Sequence, residues 1–168
     1  DAVIADDEVN RWAREYRAEA ALALGDFDAA REDLEWIVRA RPGDIDWAFD
    51  WTLRLADAGD VKGALAMCDV YDALTPGDPD ILLQRLYFFE LLNDYEAIYK
   101  GLEQAVVDFP DIAEFQIQWA QMLRATGQTQ AALTTLLSVI SDDPSNGLAQ
   151  LDLAHLYTEL NEIEKAQD

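Results

Sequence analysis

The sequence of 168 residues has little cysteine, histidine or basic charge, and each shortage disfavours a class of protein. A single cysteine, Cys68, excludes an internal disulfide and an all-cysteine metal site, and its position in the pattern below predicts a buried, inert thiol. Twelve Lys and Arg stand against 34 Asp and Glu, so nucleic-acid binding is strongly disfavoured, because binders of nucleic acids neutralise phosphates with basic side chains. No apolar run reaches the roughly 18 to 20 residues of a membrane span. We therefore expect no nucleic-acid partner and no membrane span.

Catalytic and cofactor motifs are also missing. The chain has no Gly-rich phosphate loop and no H-E-x-x-H zinc motif. Asp152 and His155 are three residues apart, as neighbours on a helix would be, but no nucleophile accompanies them. Asp44, Asp46 and Asp50 crowd one segment without the spacing of a calcium loop, which favours turn and helix-capping roles. We predict that the chain is not an enzyme and holds no metal or cofactor.

The abundant residue classes indicate a folded acidic protein. Hydrophobic residues make up 51% of the chain, too much for a disordered acidic tail in spite of the net charge of -22. The acids are spread along the whole sequence, so a generally acidic surface, for solubility or a salty habitat, explains them as well as a basic partner does. The compartment stays open, with the cytoplasm favoured over the periplasm.

Three series of residues recur with a period of 34 residues. Glycine or asparagine supplies the left-handed conformation that ends a helix, proline ends the next helix, and a small residue lets two helices approach closely. The series are Gly25, Gly59, Asn93, Gly127 and Asn161; Pro42, Pro76, Pro110 and Pro144; and Ala30, Ala64, Ile98, Ala132 and Ala166. A common period in three series indicates internal repeats.

Between these residues the apolar positions have helical spacing, and no segment alternates as a strand would. The pattern therefore predicts an all-α fold. The predicted helices are 8–24, 28–40, 45–58, 62–74, 79–92, 95–108, 113–126, 129–141 and 147–160, with a short stub from 163.

The segment GDFDAAREDLEWIVRARPGD, residues 25–44, resembles the second half of a tetratricopeptide repeat, whose signature reads here as Ala30-x3-Leu34 followed by Pro42. The resemblance implies a right-handed superhelical solenoid of antiparallel helix pairs. It divides the chain into an acidic leader, 1–10, and one array with repeats at 11–44, 45–78, 79–112 and 113–146 and a truncated fifth at 147–168. Arg14 and Arg17 occupy positions where core residues are expected, so the first helix is expected to pack atypically.

In this family the first helices of the repeats line a concave groove that binds peptides. The resemblance therefore implies candidate partner-binding residues at Glu15, Tyr16, Glu19, Asp46, Phe49, Asp50, Leu53, Leu83, Gln84, Tyr87, Ile117, Gln118, Gln121, Asp152 and His155. One branch of the family grips a carboxylate with Lys, Arg and Asn, but acids stand at the matching positions here. Apolar and aromatic residues rimmed by acids favour a basic, partly apolar peptide or helical segment.

Three functions are compatible with this pattern. The first is a protein–protein interaction scaffold, or adaptor module, that binds a peptide or helix in its groove. The second is a self-assembling structural array, so a homo-oligomer is possible. Trp36 motivates this alternative, because the repeat frame places it on the exposed side of its helix; packing against the leader explains it equally well. The third is a docking or regulatory domain of a larger enzyme.

Overall fold

The helix boundaries follow the repeat pattern along most of the chain. The computed structural model describes the backbone of residues 2–41 and 43–167 and the side chains of residues 10–41, 43–44 and 46–160. Within these ranges the regular structure is entirely α-helical, which confirms the predicted all-α repeat solenoid. The helices are α1 (Ala2–Leu24), α2 (Phe27–Ala40), α3 (Ile45–Asp57), α4 (Val61–Leu74), α5 (Pro79–Leu92), α6 (Tyr95–Asp108), α7 (Ala113–Ala125), α8 (Thr129–Asp142) and α9 (Gly147–Gln167).

The glycine and asparagine series ends four of the first helices as predicted. Gly25, Gly59 and Gly127 have φ angles of +75°, +105° and +78°, and Asn93 has φ of +55°. This left-handed backbone reverses the chain at little steric cost only where the side chain is absent or short and polar. The next helix then begins at once; the Asp60 carboxylate, for example, caps α4 by accepting a backbone hydrogen bond from its first turn.

Two predictions at the chain ends are wrong. α1 begins at Ala2 and not at residue 8, because residues 2–10 contain no glycine or proline that would stop the helix. α9 continues to Gln167 and does not stop at residue 160 before a stub, since Asn161 is followed by good helix formers. The proline series holds after α4, α6 and α8, whereas Pro42 lies outside the described residues.

The chain consists of two compact units, residues 1–94 with α1 to α5 and residues 95–168 with α6 to α9. Each has its own hydrophobic core. The predicted small residues Ala30, Ala64 and Ala132 are all 0% exposed, as close helix packing requires. The repeat boundaries and the hand of the superhelix stay predictions.

Candidate partner-binding face

In the first unit, side-chain hydrogen bonds connect the first helices of successive repeats. The Trp47 indole Nε1 on α3 donates to Glu15 Oε1 on α1 at 3.0 Å. The Gln84 amide Nε2 on α5 donates to the backbone carbonyl of Phe49 on α3 at 3.3 Å. These bonds place α1, α3 and α5 side by side in this order.

Two rows of exposed side chains run across these three helices. Positions 34 residues apart form each row, and the rows lie seven residues apart, about two helical turns or about 10 Å. We call these six residues the first-helix face: Trp12, Asp46 and Asp80 in one row, and Glu19, Leu53 and Tyr87 in the other. Trp12 is 57% exposed, Leu53 40% and Tyr87 43%, so each row offers apolar surface to a partner.

A row of less exposed residues lies between the two exposed rows. Glu15, Phe49 and Leu83 occupy it, again at 34-residue steps, and all three are partly buried. The Phe49 ring meets the ring of Tyr71 on α4 edge to face, with centroids 6.4 Å apart. The two exposed rows of the first-helix face are therefore separated by a row of partly buried residues, two of which are apolar.

Carboxylates dominate the charge of the same helices. Glu19, Asp46, Asp80 and Glu90 are exposed there. The neighbouring arginines are already engaged, since Arg54 Nε pairs with Asp50 at 2.7 Å and the Arg85 guanidinium pairs with two acids of α4. The exposed charge of these three helices is therefore mostly negative.

The structure separates the remaining candidate residues of the first unit. Tyr16 is 67% exposed beside the first-helix face, and Asp50 is exposed and paired with Arg54. Gln84 is only 9% exposed, because its amide is held by the Phe49 carbonyl and its Oε1 lies 3.8 Å from Cys68 Sγ. Its side chain joins two helices and offers a partner very little surface.

The five candidates of the second unit lie on α7 and α9. Ile117 is 3% exposed and belongs to the core. Gln121 Nε2 donates to Asp152 Oδ2 at 2.7 Å, which joins α7 to α9, while Gln118 donates to an acid of its own helix and His155 is exposed. Gln121 and Asp152 are thus engaged with each other. The role of all fifteen candidates as partner contacts stays a prediction.

Comparisons with known proteins agree with the repeat pattern. Family models described as tetratricopeptide repeat match residues 16–79 and 123–168, about two thirds of the chain together. The chain belongs to the tetratricopeptide repeat family. Proteins built from these repeats are protein–protein interaction modules, so this repeat protein is an interaction scaffold with protein partners. No curated protein sequence matches it.

Several solved structures share the fold of this repeat protein. MamA from Desulfovibrio magneticus is 17% identical, with a TM-score of 0.57 over 95% of this chain and 97% of that chain. A tetratricopeptide repeat protein from Parabacteroides merdae is 14% identical, with a TM-score of 0.68 over 92% and 62% of the two chains. A thermophilic repeat protein from Thermus thermophilus is 19% identical, with a TM-score of 0.60 over 88% and 81%.

Sequence reasoning missed Trp12 on the first-helix face and an ion cluster around the buried Asp33. Trp12 was recognisable, because it stands 34 residues before Asp46. The Asp33 side chain on α2 is 0% exposed and accepts hydrogen bonds from Arg14 and Arg17 on α1, with Arg14 Nη1 at 2.8 Å from Oδ1 and Arg17 Nε at 2.5 Å from Oδ2. The hydrogen bond to Asp33 raises the pKa of Arg17. This cluster is the atypical packing that the two arginines predicted.

Trp36 has a neighbour within the first unit. The Arg14 guanidinium carbon lies 4.4 Å from the centroid of the Trp36 ring, a cation–π contact. Packing of Trp36 against the leader falls outside the described side chains. The intramolecular contact accounts for an aromatic residue on this side of α2.

Cys68 and Tyr71 are buried where α4 meets its neighbours. Burial raises the pKa of the Cys68 thiol to about 12 and raises that of the Tyr71 hydroxyl as well. Both groups are therefore protonated at neutral pH, and the thiol lacks the thiolate character of a reactive cysteine.

The described part of the chain contains neither a cluster of metal ligands nor a membrane-spanning helix. There, no three His, Cys, Asp or Glu side chains converge as metal ligands would. Asp44 pairs with Arg11 at 3.2 Å, as a turn residue that fastens α1 to the start of α3. Among the same residues, no helix combines the length and apolar character that crossing a bilayer requires.

Proposed function

We propose that this repeat protein binds a basic, partly apolar peptide or helical segment on the first-helix face of its first unit. The observation that carries the proposal is the mixture of exposed Trp12, Leu53 and Tyr87 with exposed carboxylates on the same three helices. Exposed aromatic and aliphatic side chains mark surfaces that partners bury, and the surrounding charge selects the partner's sign.

The two kinds of residue contribute differently to such binding. Acids at the rim, such as Asp46 and Asp80, attract a cationic partner and mainly increase the association rate, which falls as salt screens the charges. Tyr87 and Leu53 lose their contact with water in the complex and slow dissociation. Truncating an anchor of this kind typically costs on the order of 2 kcal/mol of binding free energy when it is a hot spot.

Selection from a displayed library of random peptides tests the proposal. The whole chain serves as bait, and a Leu53→Ser, Tyr87→Ser double variant serves as counter-bait. Peptides retained only by the unaltered chain are expected to be rich in Lys and Arg with aromatic or aliphatic residues between them, and their binding is expected to weaken with salt. Leu137→Ser is the matched control, because Leu137 is 44% exposed but lies on α8 in the other unit.

Two outcomes would contradict the proposal. Selected peptides that are acidic would show that the carboxylates do not determine the partner. Peptides that bind the double variant as well as the unaltered chain would show that the first-helix face is not the site.

Self-assembly through Trp36 stays a prediction. The Trp36 ring also has a neighbour in its own unit, since the Arg14 guanidinium carbon lies 4.4 Å from its centroid. Docking within a larger enzyme stays a prediction, which the full-length reading frame tests.

A further inference from the structure

The two rows of the first-helix face differ in chemistry where they cross α3 and α5. In one row both helices present an acid, Asp46 and Asp80, and both acids are exposed. In the other row both helices present an apolar side chain, Leu53, 40% exposed, and Tyr87, 43% exposed. We call the first pair the acidic edge and the second pair the apolar edge.

The carboxylates of the acidic edge have no basic partner in the part of the chain that the structure describes. The nearest arginines along α3 and α5 are engaged with other acids. Arg54 pairs with Asp50 at 2.7 Å, and the Arg85 guanidinium pairs with Asp69 and Asp72 of α4. The acidic edge therefore keeps its charge uncompensated, and a cation of a ligand is attracted to it.

Less exposed residues separate the two edges. Phe49 and Leu83 are partly buried there, and Gln84 is only 9% exposed, because its amide donates to the Phe49 carbonyl at 3.3 Å. Asp50 also stands between the edges, but its carboxylate is paired along α3 with Arg54. The edges are two helical turns apart, about 10 Å, so they bound a shallow channel that crosses α3 and α5.

The width of this channel favours an extended ligand. An α-helix with its side chains is about 10 to 12 Å across, which takes up the whole distance between the edges. A single extended strand takes up about 5 Å, the spacing of neighbouring strands in a sheet, and leaves room for side chains on both sides. Successive side chains of an extended chain point to opposite sides, so every second one reaches the same edge.

The spacing of the helices fits the same ligand. Neighbouring helices lie about 8 to 10 Å apart, and an extended chain covers this distance in about three residues. On α1 the two rows continue with Trp12 in line with the acidic edge and Glu19 in line with the apolar edge. An indole ring also holds cations over its face, so the row of the acidic edge stays suited to basic side chains.

We infer that the ligand of the first-helix face is an extended segment in which basic and apolar residues alternate. Lysine or arginine at every second position pairs with Asp46 and Asp80, while the aliphatic or aromatic residues between them pack on Leu53 and Tyr87. The inference rests on the proposed function and narrows it, because that function admits an amphipathic helix as well. The order of the residues, and not their composition alone, then decides binding.

Two labelled peptides of equal composition test the inference on the whole chain. Each contains Lys, Val and Tyr and is about 14 residues long, so that a helix is accessible to it. In the alternating peptide every second residue is Lys; in the helical-pattern peptide the apolar residues stand three and four positions apart. Fluorescence anisotropy at low salt is expected to show binding of the alternating peptide about tenfold tighter than binding of the helical-pattern peptide.

Reversal of charge tests the acidic edge. The double variant Asp46→Lys, Asp80→Lys is expected to bind the alternating peptide at least about tenfold more weakly and to gain binding of an alternating peptide with Glu in place of Lys. Glu103→Lys with Asp111→Lys is the matched control, since it changes the net charge equally at two exposed positions of the second unit. Its binding of the alternating peptide is expected to stay within about threefold of that of the unaltered chain. Circular dichroism spectra check that both variants are folded.

The outcomes separate this inference from the proposed function. Equal binding of the two peptides, or tighter binding of the helical-pattern peptide, would overturn the inference and leave the proposed function standing. An equal loss of binding in the double variant and its matched control would overturn the inference, because the acidic edge would then act only through the net charge of the chain. Failure of both peptides to bind would contradict the proposed function, and the inference with it.

Discussion

Replacing Asp33 by Asn is expected to loosen the junction between α1 and α2. The Asp33 carboxylate is 0% exposed and faces two arginines of α1, Arg14 and Arg17. Asn keeps the size of the side chain but removes the charge and puts an amide N–H₂ where one carboxylate oxygen stood. At least one guanidinium N–H then faces a donor in place of an acceptor.

The exposure of the partners sets the size of the effect. Breaking a fully buried ion pair costs about 3 to 5 kcal/mol when it leaves a buried charge behind. Here the charge that disappears is the buried one, and Arg14 keeps 31% of its side chain in water. We therefore expect Asp33→Asn to lower the free energy of unfolding by about 2 kcal/mol, the scale of hydrogen bonds to a charged group.

Thermal unfolding followed by far-UV circular dichroism measures this effect. A loss of about 2 kcal/mol corresponds to a fall in Tm of about 4–8 °C for a chain of this size. Glu35→Gln is the matched control, because Glu35 lies on the same helix and forms an exposed pair with Arg39, and pairs of this kind contribute about 0 to 1 kcal/mol. Equal shifts in the two variants would refute the reasoning. Replacing both Arg14 and Arg17 by Met is expected to destabilise the chain more than Asp33→Asn, since it strands the buried carboxylate.

Three other predictions concern buried groups and turns. Burial raises the pKa of Cys68 to about 12, so a thiol reagent is expected to label Cys68 only on unfolding; rapid labelling of the native protein would contradict this. Burial raises the pKa of both Cys68 and Tyr71, so the unfolded chain loses these protons at a lower pH than the folded chain does. The stability of the fold is therefore expected to be fully present below pH 9.0 and to fall as the pH rises from there towards 12. A Tm that stays constant over this range would disprove this prediction. Gly127→Ala is expected to lower the free energy of unfolding by about 1 kcal/mol, because φ at Gly127 is +78°. Gly147→Ala is expected to be neutral or stabilising, because Gly147 lies at the start of α9 with open space around its Cβ position. Equal Tm shifts of the two variants would contradict this prediction.

The interior of the fold was predictable because the chain marks its own turns. The predicted helices at 28–40 and 129–141 differ by one residue from α2 and α8, since Gly25, Gly127 and Pro144 stand at fixed offsets. The chain ends are marked less clearly. Residues 2–10 contain no glycine or proline, and Asn161 does not end α9, which continues to Gln167.

The exposure of the candidate residues was predictable only in part, because the burial of a side chain depends on the helices that pack against it. The 34-residue step correctly indicated that Leu53 and Tyr87 are exposed. It could not show that Gln84 is buried by its bond to a carbonyl of α3, or that Ile117 enters the core of the second unit. The partner of Arg14 and Arg17 was equally hidden, since Asp33 reads as an ordinary surface acid until α1 and α2 are paired.

The central claim is that a basic, partly apolar peptide binds across α1, α3 and α5. The most direct test is a two-dimensional NMR titration of the isotope-labelled chain with a Lys-rich peptide that the display selection yields. The largest shift changes are expected at Trp12, Leu53 and Tyr87, and they are expected to diminish as salt is added. Shift changes confined to the second helices α2 and α4, or to the second unit, would contradict the claim.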